Sequence, residues 1–186
     1  MARCEILLSG FGGQGLVLGG IILAEAVAVH DDRQATHKQS YGPEARGGAS
    51  KSEVIADDVE ISFPEIRNPD VFLAMTQEAV AKYGKNVKET GIAIIDPGMV
   101  FDEKALAGVK KVYRIPLTEI ARGLGNEIVA NIVALGVLTV ATGVVTREAI
   151  EKSVLDHVPA KTVELNRVAL RAGFKAGEEV LAAALA

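Results

Sequence analysis

The most constraining stretch of the chain is its start. Glu5–Ser9 is a short apolar run, Gly10–Gly15 follows with four glycines in six positions, and Leu16–His30 carries apolar residues at helical spacing through Val17, Ile21, Ala24 and Ala28. This order predicts a buried strand, a tight loop and a buried helix, the opening of a βαβ unit. A chain that begins this way is committed to a sheet with helices packed on it. The composition agrees: 49% of the 186 residues are apolar, Trp is absent and aromatics make up 4%, so Ala, Val, Ile, Leu and Gly must fill the core.

Further strands are predicted at Ser50–Ala56, Val59–Phe63, Val71–Met75, Gly91–Asp96 and Lys111–Ile115. Asp57-Asp58 between the first two suggests a hairpin, which calls for a mixed sheet rather than a purely parallel one. Gln34–Ser40 is polar and extended in character. Helices are predicted over Leu117–Leu124, Glu127–Thr142, Thr146–His157 and Lys161–Leu185, with Thr76 and Thr146 as caps. Without a linker, repeat or low-complexity tract, residues 1–186 read as a single domain. The expected fold is a three-layer α/β/α, Rossmann-like domain with a mixed, mainly parallel sheet.

Several functions are disfavoured. The net charge of −4 lacks the basic face of a nucleic-acid binder. One cysteine, Cys4, forms no intrachain disulfide and cannot supply the roughly four thiolates of an iron–sulfur cluster. The start lacks a signal-peptide layout. The richest apolar run, Ile128–Val145, is interrupted by Asn131, two glycines and two threonines, short of the ~18 residues of a membrane span. A cytoplasmic protein is the expectation. His30, His37 and His157 have no ligand spacing, so no metal site is expected.

Gly10-Phe11-Gly12-Gly13-Gln14-Gly15 satisfies the G-x-G-x-x-G pattern in the right context. Glycines let backbone approach a ligand, and the helix start that follows offers free N–H groups to an anion. The same glycines could merely allow strand and helix to pack tightly. A dinucleotide site also needs an acid at the end of the second strand, about 20 residues on. There the chain has His37-Lys38-Gln39-Ser40, where Lys38 would attract a phosphate. A second unusual loop, Tyr41–Gly48, sets an aromatic and a guanidinium among turn residues. Arg46 could grip a phosphate or carboxylate in bidentate fashion, and Tyr41 could stack or donate a hydrogen bond. A surface loop closed by a Glu44–Arg46 pair is the plainer alternative. Asn126 and Asn131 could line the loop face; for Asn126 a helix cap is the plainer alternative.

Taken together, Ser9–Gly15 and Ser40–Gly48, about 25 residues apart, resemble the gamma subunit of the 2-oxoacid:ferredoxin (acceptor) oxidoreductases. Asn126–Gly136 and Glu164–Gly173 extend the resemblance over nearly the whole chain. It implies a subunit of an enzyme that decarboxylates a 2-oxoacid on thiamine diphosphate, passes electrons through iron–sulfur clusters to ferredoxin and transfers the acyl group to coenzyme A. Alpha, beta and ferredoxin-like delta subunits would be its partners and would hold the thiamine and the clusters. This chain has neither a G-D-G…N thiamine motif nor a cysteine cluster, consistent with that division. The resemblance implies that Gly10, Gly12, Gly13, Gln14, Gly15, Lys38, Ser40, Tyr41, Arg46 and Asn126 face coenzyme A or a neighbouring subunit. No catalytic residue is expected, and the isolated chain is expected to expose an apolar patch through which two copies could pair. The competing readings are a stand-alone NAD(P)-dependent oxidoreductase and a purely structural assembly subunit.

Overall fold

Apolar four-residue runs separated by polar turns can be satisfied only when both faces of each strand are covered. The computed structural model, which describes residues 3–41 and 49–185, covers them with helices on the two sides of one sheet. The elements run β1 (Cys4–Phe11), α1 (Leu16–Glu25), β2 (Gln34–Tyr41), β3 (Ala49–Asp57), β4 (Val71–Ala74), α2 (Gln77–Tyr83), β5 (Ile92–Ile95), β6 (Lys111–Arg114), α3 (Leu117–Gly123), α4 (Ala130–Thr142), α5 (Arg147–His157) and α6 (Val163–Leu185).

The strand order is β2-β3-β1-β4-β5-β6. β1, β4, β5 and β6 pair in parallel, while β3 is antiparallel to both of its neighbours. Five strands therefore point one way and only β3 opposes them, the mixed, mainly parallel sheet expected. Alternation divides the core. Ile6 and Leu8 face the larger layer, where they meet Leu16 and Ile22 of α1 together with Ile132, Val133 and Leu135 of α4. Leu7 and Phe72 face the smaller layer, with Ala79 and Val80 of α2. Burying each large aliphatic or aromatic side chain in this way stabilises the fold by ~1.5–3 kcal/mol.

α4 is the central helix. Every residue from Ala130 to Thr139 is buried, because the sheet covers one side and α6 the other. That burial demands small residues, and Gly136 of α4 meets Gly173 of α6 backbone to backbone. Thr76 and Thr146 cap as expected, their hydroxyls accepting from the N–H groups of Ala79 and Ala149, each at 3.2 Å.

Two expectations are corrected. Val59–Phe63 is not a strand; the hairpin partner of β3 is β2, from Gln34↔Asp57 to Tyr41↔Ser50. With β2 on one side and β1 on the other, β3 has no free edge left. Asp57 also turns the chain away, its Oδ1 accepting from the N–H groups of Asp58 (2.8 Å) and Val59 (3.4 Å). The second correction concerns the first helix, which is α-helical only to Glu25 and then widens into a π turn over Ala26–His30. The turn is marked by an Asp31 N–H to Ala26 C=O bond of 3.0 Å.

Candidate functional site

The glycine loop lies at the C-terminal end of β1, and its glycines do not all do the same thing. A Cβ on Gly10 would run into the Gln14 side chain and stand 2.8 Å from Leu16 Cδ1. Gly15 precedes α1 in a left-handed conformation, φ 73°, and a Cβ there would lie 2.5 Å from Asn131 Nδ2. These two glycines serve close packing. Gly12 sits in the exposed turn. Gly13 is also left-handed, φ 106°, but faces open space. Gln14 braces the loop: its Oε1 accepts from the Phe11 N–H at 2.7 Å and its Nε2 donates to the Met75 carbonyl at 3.2 Å. No side chain caps α1 and its first turn holds no acid, so the helix start stays receptive to an anion.

Beside Gly13 and Gln14 opens a cleft of about 190 Å³, lined also by Met75, Thr118, Glu127 and Ile128. Its position follows from the topology. β1 leads into α1 on the larger layer, and the adjacent β4 leads into α2 on the smaller one. The connections thus leave neighbouring parallel strands toward opposite faces, and the crevice outside such a switch point is where open α/β sheets bind ligands. Asp96, at the end of β5, does not reach into the cleft. It is buried and accepts from the Thr118 N–H (2.8 Å) and the Gly98 N–H (3.0 Å), which makes it a local brace for the start of α3.

The second loop joins β2 to β3. Register puts Tyr41 level with Ser50, and Ser50 level with Gly10, so the loop springs from the same end of the sheet as the glycine loop. Gly42–Gly48, including Arg46, lie outside the described residues. Lys38 and Ser40 are exposed on β2, the outermost strand. They stand two strand spacings, roughly 10 Å, from β1, opposite Glu53 and Lys51 respectively. The structure therefore does not bring Lys38 and Ser40 to the cleft. Asn126 takes the plainer of its two roles: its Oδ1 accepts from the Ile128 N–H at 3.0 Å and caps the turn before α4. The asparagine that does touch the loop is Asn131, whose Nδ2 donates to the Gly15 carbonyl at 3.1 Å.

The strand next to β1 also bears on the NAD reading. A dinucleotide fold places a parallel second strand there, with its acid at the ligand end. Here that place is taken by β3, running the other way, and β2 at the edge ends in Lys38, Gln39, Ser40 and Tyr41. Beneath the loop, Gly20 of α1 passes so close to β3 that a side chain would strike Ser52 and His37, whose Oγ and Nε2 are 2.8 Å apart. Burial lowers the pKa of His37. Burial, with the Asp70 carboxylate adding to it, pushes the Cys4 thiol up to about 11, which suits an inert packing residue rather than a nucleophile.

Residues 5–176 match the sequence profile of the pyruvate ferredoxin/flavodoxin oxidoreductase family. The 2-oxoglutarate synthase subunit KorC of Methanocaldococcus jannaschii is 46% identical, over 96% of this chain and 96% of its own. The gamma subunit of a keto/oxoacid ferredoxin oxidoreductase from Geobacter sulfurreducens superposes with a TM-score of 0.87 at 46% identity, covering 97% of this chain and 99% of that one. A 2-oxoglutarate:ferredoxin oxidoreductase chain from Magnetococcus marinus shares the fold at 22% identity, with a TM-score of 0.86 over 96% of this chain and 32% of its own. No helix among the described residues is long and apolar enough to cross a membrane. The paired loops, the mixed sheet and the matching lengths converge: this chain belongs to the pyruvate ferredoxin/flavodoxin oxidoreductase family and is a gamma subunit of a 2-oxoacid:ferredoxin oxidoreductase, part of a multisubunit complex.

Proposed function

We propose that this subunit forms one wall of the coenzyme A site of its complex, with 2-oxoglutarate as the oxoacid. The observation that carries the reading is the register Tyr41–Ser50–Gly10, which sends both unusual loops out at one sheet end beside the switch-point cleft. At about 190 Å³ the cleft holds only a fragment of a coenzyme, the volume of roughly six waters. The remainder of the site belongs to a neighbouring chain, and Ile128, 76% exposed at the cleft rim, suits a subunit contact. Gly13 lets backbone approach the ligand, the start of α1 favours its phosphates, and Arg46 supplies a bidentate cation. Lys38 and Ser40, away from the cleft on the outer strand, would face the neighbouring subunit instead, and Asn126 would shape the turn beside Ile128.

Thiamine diphosphate and the iron–sulfur clusters then sit on the alpha, beta and ferredoxin-like delta subunits, which carry out decarboxylation and electron transfer to ferredoxin in the cytoplasm. The substrate choice rests on the KorC relatives, four of which are 36–46% identical. The Magnetococcus enzyme, with 2-oxoglutarate, coenzyme A and succinyl-CoA bound, contains this fold over a third of its chain.

The test uses the assembled complex. Arg46→Ala should raise the KM for coenzyme A by about tenfold or more, the ~1.5–3 kcal/mol of a charge-assisted hydrogen bond, and Gly13→Val should raise it by filling the space the ligand needs at a left-handed position, while the KM for the oxoacid stays put in both. Unchanged coenzyme KM in both variants, with assembly intact, would leave a purely structural subunit as the answer.

A further inference from the structure

The tertiary structure assembles a group of metal-ligating side chains far from the glycine loop. Glu25 ends α1, His30 ends the π turn after it and Asp156 lies in the last turn of α5. One donor atom from each lies within 4.8 Å of the other two. In a regular α-helix residues five apart point about 140° away from each other. The π turn, with its i→i+5 bonding, reduces that angle, and a His30 ring nitrogen comes within 4.8 Å of a Glu25 carboxylate oxygen. The widening is therefore what creates the cluster.

The state of His30 points to a ligand. His30 Nε2 is buried and makes no hydrogen bond. Its nearest carboxylate oxygen, Asp156 Oδ2, is 3.5 Å away, too long for one. A buried ring nitrogen without a partner is costly. The 3.5 Å spacing also matches the ~3.4 Å between donors sharing a tetrahedral ion at 2.0–2.2 Å. Behind it, His157 Nδ1 meets the Ser153 carbonyl at 2.9 Å; a carbonyl only accepts, so Nδ1 carries a proton. His157 Nε2 lies 3.4 Å from Glu25 Oε2.

We propose that Glu25, His30 and Asp156 bind a divalent transition-metal ion, with Zn²⁺ the ion their donors fit. One imidazole and two carboxylates form a mixed nitrogen–oxygen set, which suits zinc better than the all-oxygen cages of magnesium or calcium. Two carboxylates balance the charge of one divalent ion. Asp156, whose side chain is 63% exposed, is free to swing inward and complete the set. The ion would clamp the end of α1 to the end of α5, and nothing in the coenzyme-side reading depends on it.

Isothermal titration of the chelator-treated chain with ZnCl₂ tests this. One saturable equivalent is expected, with a matching rise in melting temperature. His30→Ala and, separately, Asp156→Asn should each weaken binding by at least about tenfold, the scale at which even supporting residues of metal sites act. His37→Ala, which lies outside the cluster, should bind as the parent does. Asp156 is exposed, so its variant reads the site even if His30→Ala fails to fold. Bound Co²⁺ should give a visible absorption band that Asp156→Asn removes. Absence of a single saturable equivalent in the parent chain, or parental affinity in Asp156→Asn, overturns the proposal.

Discussion

Gly173→Ala tests the packing at the centre of the fold. In α6, a Cβ at position 173 would lie 2.9 Å from Gly136 Cα and 3.0 Å from the Val133 carbonyl carbon, and would press still harder on the Val133 oxygen. All three atoms are backbone, so no side chain can turn aside. Restoring ordinary carbon contacts of ~3.5–4.0 Å pushes α6 outward by roughly 0.6–1 Å. A gap of that size forfeits about a quarter to a half of each dispersion contact along the α4–α6 seam. Overpacking of this kind costs ~1–3 kcal/mol. Against it stands the better helix propensity of alanine, worth up to about 1 kcal/mol. The net expectation is a loss of about 1–2 kcal/mol, or roughly 2–8 °C in melting temperature for a chain of this length. Thermal unfolding followed by far-ultraviolet circular dichroism reads it directly. Gly123→Ala, at the end of α3 with nothing within 4 Å of its Cβ, should be neutral or stabilising. A Gly173→Ala protein as stable as the parent would refute the reasoning, because helix propensity would then outweigh a contact the geometry treats as closed.

Three further outcomes are expected. Asn131→Ala strips the Gly15 carbonyl of its donor and should cost ~1–3 kcal/mol by urea denaturation; a change below 0.5 kcal/mol, roughly the scale of a neutral surface substitution, would mean water replaces the amide freely. Cys4, with its pKa pushed up to about 11, should react with iodoacetamide at pH 8 roughly two hundredfold more slowly than a free thiol of pKa ~8.5. Its folded form holds the proton more tightly than the unfolded chain, so its stabilising contribution is complete below the ordinary thiol value of 9.0 and is lost as pH climbs toward 11. His37 has the opposite sign: burial lowers its pKa, so its contribution is complete above 6.5 and is lost as pH falls through the folded value. His37→Gln should flatten the acid limb of the stability curve below pH 6.5, and an unaltered acid limb would count against burial as the cause.

The residues that announced themselves in the sequence act over short distances. Gly13 and Gly15 stand where the chain needs positive φ, and Thr76 and Thr146 reach an N–H three residues ahead. Such effects depend on a few neighbouring dihedrals and are therefore written into a local pattern. Tertiary structure decided whatever required two distant segments to compete or to meet. β3 could have paired with Val59–Phe63, but β2 holds its outer edge over eight residue pairs and Asp57 bends the next segment away. Asn126 and Asn131 look alike in sequence; only the seating of α4 against the loop gives Asn131 the carbonyl of Gly15, 116 residues away. Likewise His30 and Asp156 share no motif spacing, and it takes a π turn at the end of α1 and the packing of α5 beside it to bring them face to face. The sequence by itself determined a βαβ opening, a left-handed glycine turn and the family resemblance carried by its two loops. Strand order, the location of the cleft and the company each polar side chain keeps were decided by the fold, because a sheet edge or a buried nitrogen is satisfied by whatever the whole chain brings to it, not by its neighbours in sequence.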